Sequence, residues 1–196
     1  IFGNTGADSL FVNSSLLGGA SIIGGADDDT EDADSISVGT ITKGYISGNG
    51  SDDTIQVNNV VNTATISGGS GADSISLNAA VTNAKVFGNF GDDSLTFNAA
   101  VTSSTISGGS GVDSIVLAGA TTATKISADV GNDLVSVAGA ITAGSLYGGT
   151  GNDSLTLGAL TANTSVLGED GDDTFSIVSA LTSSVFGGSG NDSMII

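Results

Sequence analysis

The chain contains no proline, cysteine, histidine, tryptophan or arginine, and its only cationic side chains are Lys43, Lys85 and Lys125. Each absence removes a class of explanation. Without cysteine there is no disulfide framework and no thiolate chemistry, although the compartment stays open, because a metal-stapled extracellular protein needs no disulfides. Without histidine there is no general base suited to neutral pH and no serine–histidine pair for nucleophilic attack. Three lysines against 19 Asp and 2 Glu leave a formal charge of −18. That charge argues against nucleic acid, whose phosphates demand Lys and Arg, and against anionic membrane surfaces. No apolar run approaches the ~18 residues of a membrane span and no signal peptide is visible, so direct membrane insertion is not expected. The lack of proline suits a sheet whose inner strands donate hydrogen bonds to neighbours on both sides.

What remains is acidic, glycine-rich and yet apolar enough for a positive mean hydropathy, unlike a disordered acidic tail. The apolar residues are small or β-branched, which favours strands over helices. Cations are the natural partners. An aspartate followed by Ser or Thr and then an apolar residue recurs at Asp8, Asp34, Asp53, Asp73, Asp93, Asp113, Asp153, Asp173 and Asp192, and Asp133 falls at the same phase. The intervals are 26, 19, six of 20, and 19 residues, a regularity that identifies a solenoid.

Within each unit, apolar residues stand two and four after the aspartate, as in Ile75 and Leu77 or Leu95 and Phe97, usually with Ser or Thr between them. Period-two alternation predicts a half-buried strand. A further apolar residue falls thirteen after the aspartate (Ile66, Val86, Ile106, Ile126, Leu146, Val166). Between the two strands lies a bend of small residues such as "NAAVT". The expected fold is therefore all-β: a parallel β-solenoid of about nine to ten coils of ~20 residues, stacked ~4.8 Å apart into a rod roughly 45 Å long. One repeat array is expected over 1–196, as a fragment of a longer chain, with an acidic loop insertion at 26–33.

A glycine-type hexapeptide ends on every one of these aspartates but Asp34: "GNTGAD" (3–8), "GNGSDD" (48–53), "GGSGAD" (68–73), "GNFGDD" (88–93), "GGSGVD" (108–113), "ADVGND" (128–133), "GGTGND" (148–153), "GEDGDD" (168–173) and "GGSGND" (187–192). With the residues that follow, they match G-G-x-G-x-D-x-U-x. Across essentially its whole length the chain resembles an RTX (repeats-in-toxin) β-roll, and the resemblance implies calcium as the bound ion. Elementary chemistry agrees. Glycines aim carbonyls inward, and a hard cation takes six to eight oxygens, which stacked turns can supply. Bare aspartates ~4.8 Å apart would repel by about 0.9 kcal/mol per adjacent pair even in water.

The metal ligands implied are Asp8, Asp34, Asp53, Asp73, Asp93, Asp113, Asp133, Asp153, Asp173 and Asp192. They are joined by turn carbonyls of Gly69, Gly71, Asn89, Gly91, Gly109, Gly111, Gly131, Gly149, Gly151, Gly171, Gly188 and Gly190. Only one half of each coil matches the family pattern, so several Ca²⁺ ions are expected in one column along one edge. Three departures weaken particular sites: Ser51 and Ala128 in place of glycines, and the stretched turn "GGADDDTEDAD" (24–34) with Asp27, Asp28, Asp29, Glu31 and Asp32. That insertion is read as a solvated bulge rather than a further ion site.

Thr82, Thr102, Thr122, Thr142 and Thr182 recur nine after the aspartate, with Asn62 and Ala162 interrupting. Some RTX modules bind ice through ranks of threonine, but a single broken rank is read as a hydroxyl ladder finishing a bend. Asn58, Asn78 and Asn98 are expected to form a short amide ladder. Phe87, Tyr147, Leu167 and Phe186 stand fourteen after the aspartate or at the equivalent place. Alternation leaves two orientations open for them: outward, as a contact with another chain or domain, or inward at a corner.

Catalysis is not expected, because nearly every acid is explained by the turns or the insertion and no cleft with paired carboxylates is indicated. The preferred reading is a calcium-binding structural repeat of a secreted bacterial surface protein, such as an S-layer subunit, filament or adhesin. Such a protein would be extracellular and associate with its own kind or with neighbouring repeats. The alternative is the calcium-triggered folding module of a secreted toxin, protease or lipase whose catalytic domain lies elsewhere.

Overall fold

The apolar residues of each unit meet the same residues of the next. A computed structural model describes residues 1–25 and 32–196, and within them the chain winds as a parallel β-solenoid. A central coil contributes three pieces of strand, exemplified by Ser74–Leu77, Val81–Thr82 and Lys85–Phe90. Each pairs in parallel with its equivalent 20 residues on: Ile75 opposite Leu95, Val81 opposite Val101, Val86 opposite Ile106. The strands that lead into the glycine turns form a ladder of ten, from Phe2–Asn4 to Ser184–Ser189. The other two pieces form a second sheet, continuous because Ser35–Thr42 and Ser154–Leu160 run through both.

The interior consists of vertical columns of like side chains. Ile55, Ile75, Leu95 and Ile115 form one, and Val57, Leu77, Phe97 and Leu117 another; all are at most 1% exposed. Ile66, Val86, Ile106 and Ile126 close the opposite side. These are the columns expected from the spacing. The bend between them proves to be a third wall. Val61, Val81, Val101 and Ile141 are buried eight after the aspartate, with Ala64 and Ala84 beside them. A strand of two residues is too short to show alternation, so the pattern conceals it.

The corner after this wall is made without glycine. Thr63, Asn83, Ser103, Ala123, Ala143 and Asn163 adopt φ of 50–60°, a conformation that costs an L-residue roughly 1–2 kcal/mol. Each turns its N–H onto a carbonyl of the next coil, as Asn83 does to Thr102 at 3.0 Å and Ser103 to Thr122 at 2.9 Å, which offsets that cost.

On the outer surface the amide ladder is present: Asn98 Nδ2 donates to Asn78 Oδ1 (2.8 Å), and Asn78 Nδ2 to Asn58 Oδ1 (3.3 Å). Thr82 and Thr102 stack in register. Phe87, Tyr147 and Leu167 lie outward and half-buried between buried neighbours, and Phe186, between partly buried ones, is 59% exposed. Lys125 Nζ lies 5.3 Å from the centroid of the Tyr147 ring, within cation–π range. Of the insertion expected at 26–33, residues 26–31 lie outside the described residues.

Phe97→Ala opens a cavity in a column that cannot collapse around it and should cost about 3–5 kcal/mol. Thr96→Ala, on the outward position before it, should stay within about 0.5 kcal/mol. Urea unfolding of both variants in saturating calcium, followed by circular dichroism, reads the difference.

Candidate metal column

The glycine turns bring the ten repeating aspartates to one edge of the solenoid, one above another. Their side chains point back into the turn instead of out to water. Asp53, Asp73, Asp93 and Asp113 are each 1–2% exposed. The two oxygens of each carboxylate have different fates. Oδ1 accepts the main-chain N–H of the aspartate one coil earlier: Asp8 donates to Asp34, Asp34 to Asp53, and so on to Asp173 and Asp192, at 2.7–3.0 Å. Oδ2 is buried without any partner in Asp8, Asp34, Asp53, Asp73, Asp93, Asp113, Asp133, Asp153 and Asp173. An unpaired buried acceptor costs on the order of 1–3 kcal/mol, and more when it is charged.

This environment resists ionisation. Burial is the largest cause in every case and pushes Asp73 up to about 8, Asp93 and Asp133 to about 7, and Asp53, Asp113 and Asp153 to about 6. Asp34 and Asp173 are raised for the same reason. The N–H bond to Oδ1 opposes the shift, and neighbouring carboxylates add to it.

The first glycine of each turn makes room for the orphaned oxygen. A Cβ built on Gly48, Gly88, Gly148 or Gly168 would lie closer than 3.0 Å both to Oδ2 of its own turn's aspartate and to the carbonyl oxygen of the first residue in the next turn. A carboxylate and a carbonyl oxygen therefore converge over each of these glycines. Ala128 is the exception, a buried methyl at the equivalent position. The fourth place takes positive φ throughout, 109–149° from Gly71 to Gly190 and 74° at Ser51, which adopts the turn despite its side chain. Of the turn residues expected as carbonyl donors, Gly69, Asn89, Gly109, Gly149 and Gly188 pair in register with the second-place residue of the neighbouring coil. A Cβ on Gly91, Gly111, Gly131, Gly151, Gly171 or Gly190 would meet the carbonyl of the fourth-place glycine one coil earlier. Among the described residues no group of three or more acidic side chains is arranged to hold a metal by itself, so main-chain carbonyls must complete any set. Inward oxygens, one inward carboxylate per turn and no nitrogen or sulfur donor suit a hard divalent cation.

One set of residues escaped the sequence reading. The residue before the column aspartate forms its own ladder, running the other way. Asp52 Oδ1 accepts the N–H of Ala72 (2.6 Å), Asp92 that of Val112 (2.6 Å), Asn132 that of Asn152 (2.7 Å), Asn152 that of Asp172 (2.8 Å) and Asp172 that of Asn191 (2.6 Å). The signal lay in the doublets "DD" and "ND" that close these turns. Thus the column aspartate binds the turn before it, and its predecessor binds the turn after.

Residues 64–79 and 142–159 match the family model described as RTX calcium-binding nonapeptide repeat (4 copies). No curated protein matches the chain. Among solved structures, the chain is similar to a hyperactive, Ca²⁺-dependent, β-helical antifreeze protein from an Antarctic bacterium. The two share 22% identity at a TM-score of 0.81, over 98% of this chain and 59% of that one. At that identity the likeness speaks for the fold. The repeat matches, the stacked parallel coils and the buried aspartate column lead to one assignment: the chain is an RTX-type β-roll built on calcium-binding repeats.

Proposed function

We propose that this chain is a calcium-dependent structural repeat of a secreted bacterial surface protein, a segment that becomes rigid when calcium fills the column. The observation that carries the reading is the row of nine buried carboxylate oxygens without partners. Calcium, when bound, would supply positive charge to that row and accept its oxygens as ligands. The ten aspartates would hold it, Asp8 to Asp173 through their unpartnered Oδ2 atoms, with carbonyls of the turn residues completing the shell. The aspartate Oδ1 atoms meanwhile keep their N–H bonds and so fix each carboxylate in position.

The regular coils from Asp53 to Asp173 support a structural role over a catalytic one, since a binding cleft needs a break in the pattern. The outward Phe87, Tyr147, Leu167 and Phe186 support self-association or contact with neighbouring repeats. The threonine rank is one residue wide and interrupted at Asn62 and Ala162, which favours a corner over an ice-binding plane. The surface role is tested by sedimentation at high protein concentration in millimolar calcium: ordered oligomers are expected, and a chain that stays monomeric argues for the folding module of a secreted enzyme or toxin instead.

Far-UV circular dichroism during a calcium titration from chelator should show a cooperative coil-to-sheet transition reversed by chelation. Sheet already complete in chelator and indifferent to calcium would overturn the calcium-dependent reading. Gly88→Ala, which sets a methyl against Asp93 Oδ2 and the Gly108 carbonyl, should raise the calcium midpoint, while Ala128→Gly should lower it.

The pH dependence has opposite signs with and without the ion. Folded-state pKa values raised above the unfolded 3.8 give stability that is complete below 3.8 and is lost as pH rises through about 6 to 8. In chelator, sheet content should therefore fall between pH 4 and 8. In limiting calcium it should rise over the same range, as protons leave the oxygens that hold the ion. Dichroism at fixed pH steps checks both.

A further inference from the structure

Successive turns are not equivalent. The second place of the turn alternates without exception between a residue with a polar side chain and glycine: Asn4, Gly25, Asn49, Gly69, Asn89, Gly109, Asp129, Gly149, Glu169, Gly188. The structure explains why. The polar residues take φ of 79–86°, and their carbonyls press on the residue above so closely that a Cβ on Gly69, Gly109, Gly149 or Gly188 would overlap the carbonyl of Asn49, Asn89, Asp129 or Glu169. The true repeat is therefore two coils, and the gaps between turns are of two kinds.

The two kinds are clasped differently. Where a glycine turn lies below and a polar turn above, the polar side chain hooks downward across the outer face. Asn49 Nδ2 donates to the Gly25 carbonyl (2.5 Å), Asn89 Nδ2 to Ser67 Oγ (2.7 Å), and Asp129 accepts from Ser107 Oγ. Where the polar turn lies below, its fifth residue reaches upward: Asp52, Asp92, Asn132 and Asp172 accept the N–H groups of Ala72, Val112, Asn152 and Asn191. Among the described residues Asn152 is the one glycine-turn residue that does the same, to Asp172. At Asp52, Asp92 and Asp172 this second clasp adds a carboxylate beside the gap; at Asn132 it adds only an amide. Ala72, in the intervening turn, adds none. The field of Asp52 falls on both Asp53 and Asp73, and that of Asp92 on both Asp93 and Asp113. The field of Asp129 falls on Asp113 from the turn above and on Asp133 within its own turn.

Resting on the reading of the column as a calcium site, we infer that the column holds calcium in two strengths, set by whether the turn below a gap carries an aspartate at its fifth place. The gaps Asp53–Asp73, Asp93–Asp113 and Asp173–Asp192, each beside a fifth-place aspartate, fill before the gap Asp73–Asp93, which lies above Ala72. The fifth-place carboxylate is not a ligand. It acts through its charge, while its Oδ1 stays on an N–H group and holds it in place. Calcium affinity follows the negative charge around the site, and one added charge several ångströms from a divalent ion changes affinity roughly five- to tenfold.

Isothermal titration of the 196-residue chain with calcium, with stoichiometry counted by equilibrium dialysis, tests this. The wild type should bind in two phases. Asp92→Asn keeps the acceptor for Val112, as Asn132 and Asn152 do for their own partners, and should move one ion from the tight phase to the weak one. Ala72→Asp should move one ion the other way. Sheet content in saturating calcium should stay that of the wild type in both. Uniform binding in the wild type, or an unchanged partition in Asp92→Asn, overturns the two-class inference and leaves the calcium column standing. A wild-type chain that binds no calcium overturns both.

Discussion

The structure depends on how one carboxylate divides its oxygens. At each turn Oδ1 is committed to a main-chain N–H of the coil before, and Oδ2 is left buried and unpaired. The first interaction fixes the side chain as firmly as a strand bond would. The second leaves a demand that no group among the described residues meets. Repeated nine times at strand spacing, it makes the apolar interior and the acidic edge opposed parts of one fold. The stacked Ile, Leu and Val columns bring the coils together, and the same stacking brings the charges together.

The glycines and the lack of cationic side chains serve this arrangement. A first-place methyl would displace the orphaned oxygen from the space over the turn, so the residue is glycine at every regular turn but that of Ala128. None of the three lysines makes an ion pair with a column aspartate among the described residues; Lys125 lies over the Tyr147 ring instead. Neutralisation therefore has to come from outside the chain. Such a fold responds to the ion as a whole, because each site is shared between two coils and each coil between two sites.

Much of this was legible in the sequence, for definite reasons. The aspartate interval, the alternation of Ile75 with Leu77, and the amide ladder of Asn58, Asn78 and Asn98 are set by strand geometry, which maps spacing directly onto position. The inner wall at Val81 and Val101 was hidden, because two residues carry no periodicity. The upward reach of Asp52 and Asp92 was hidden for another reason. An acid next to the column aspartate reads as more of the same charge until coordinates show which way its oxygen points. The orientation of Phe87 and Tyr147 also needed coordinates, since a corner can turn a strand's alternation either way.

The direction of the aspartate hydrogen bonds gives the rod a polarity of growth. Every turn has its N–H group capped by the carboxylate of the turn that follows it in sequence, so no turn is finished by its own residues. A folding front that advances toward the C terminus always trails one open turn behind its tip. A front that advances toward the N terminus lays each new N–H onto an oxygen already in place. The two ends of the rod are thus unlike as seeds, and the order in which a nascent chain presents them decides which kind of front it meets first.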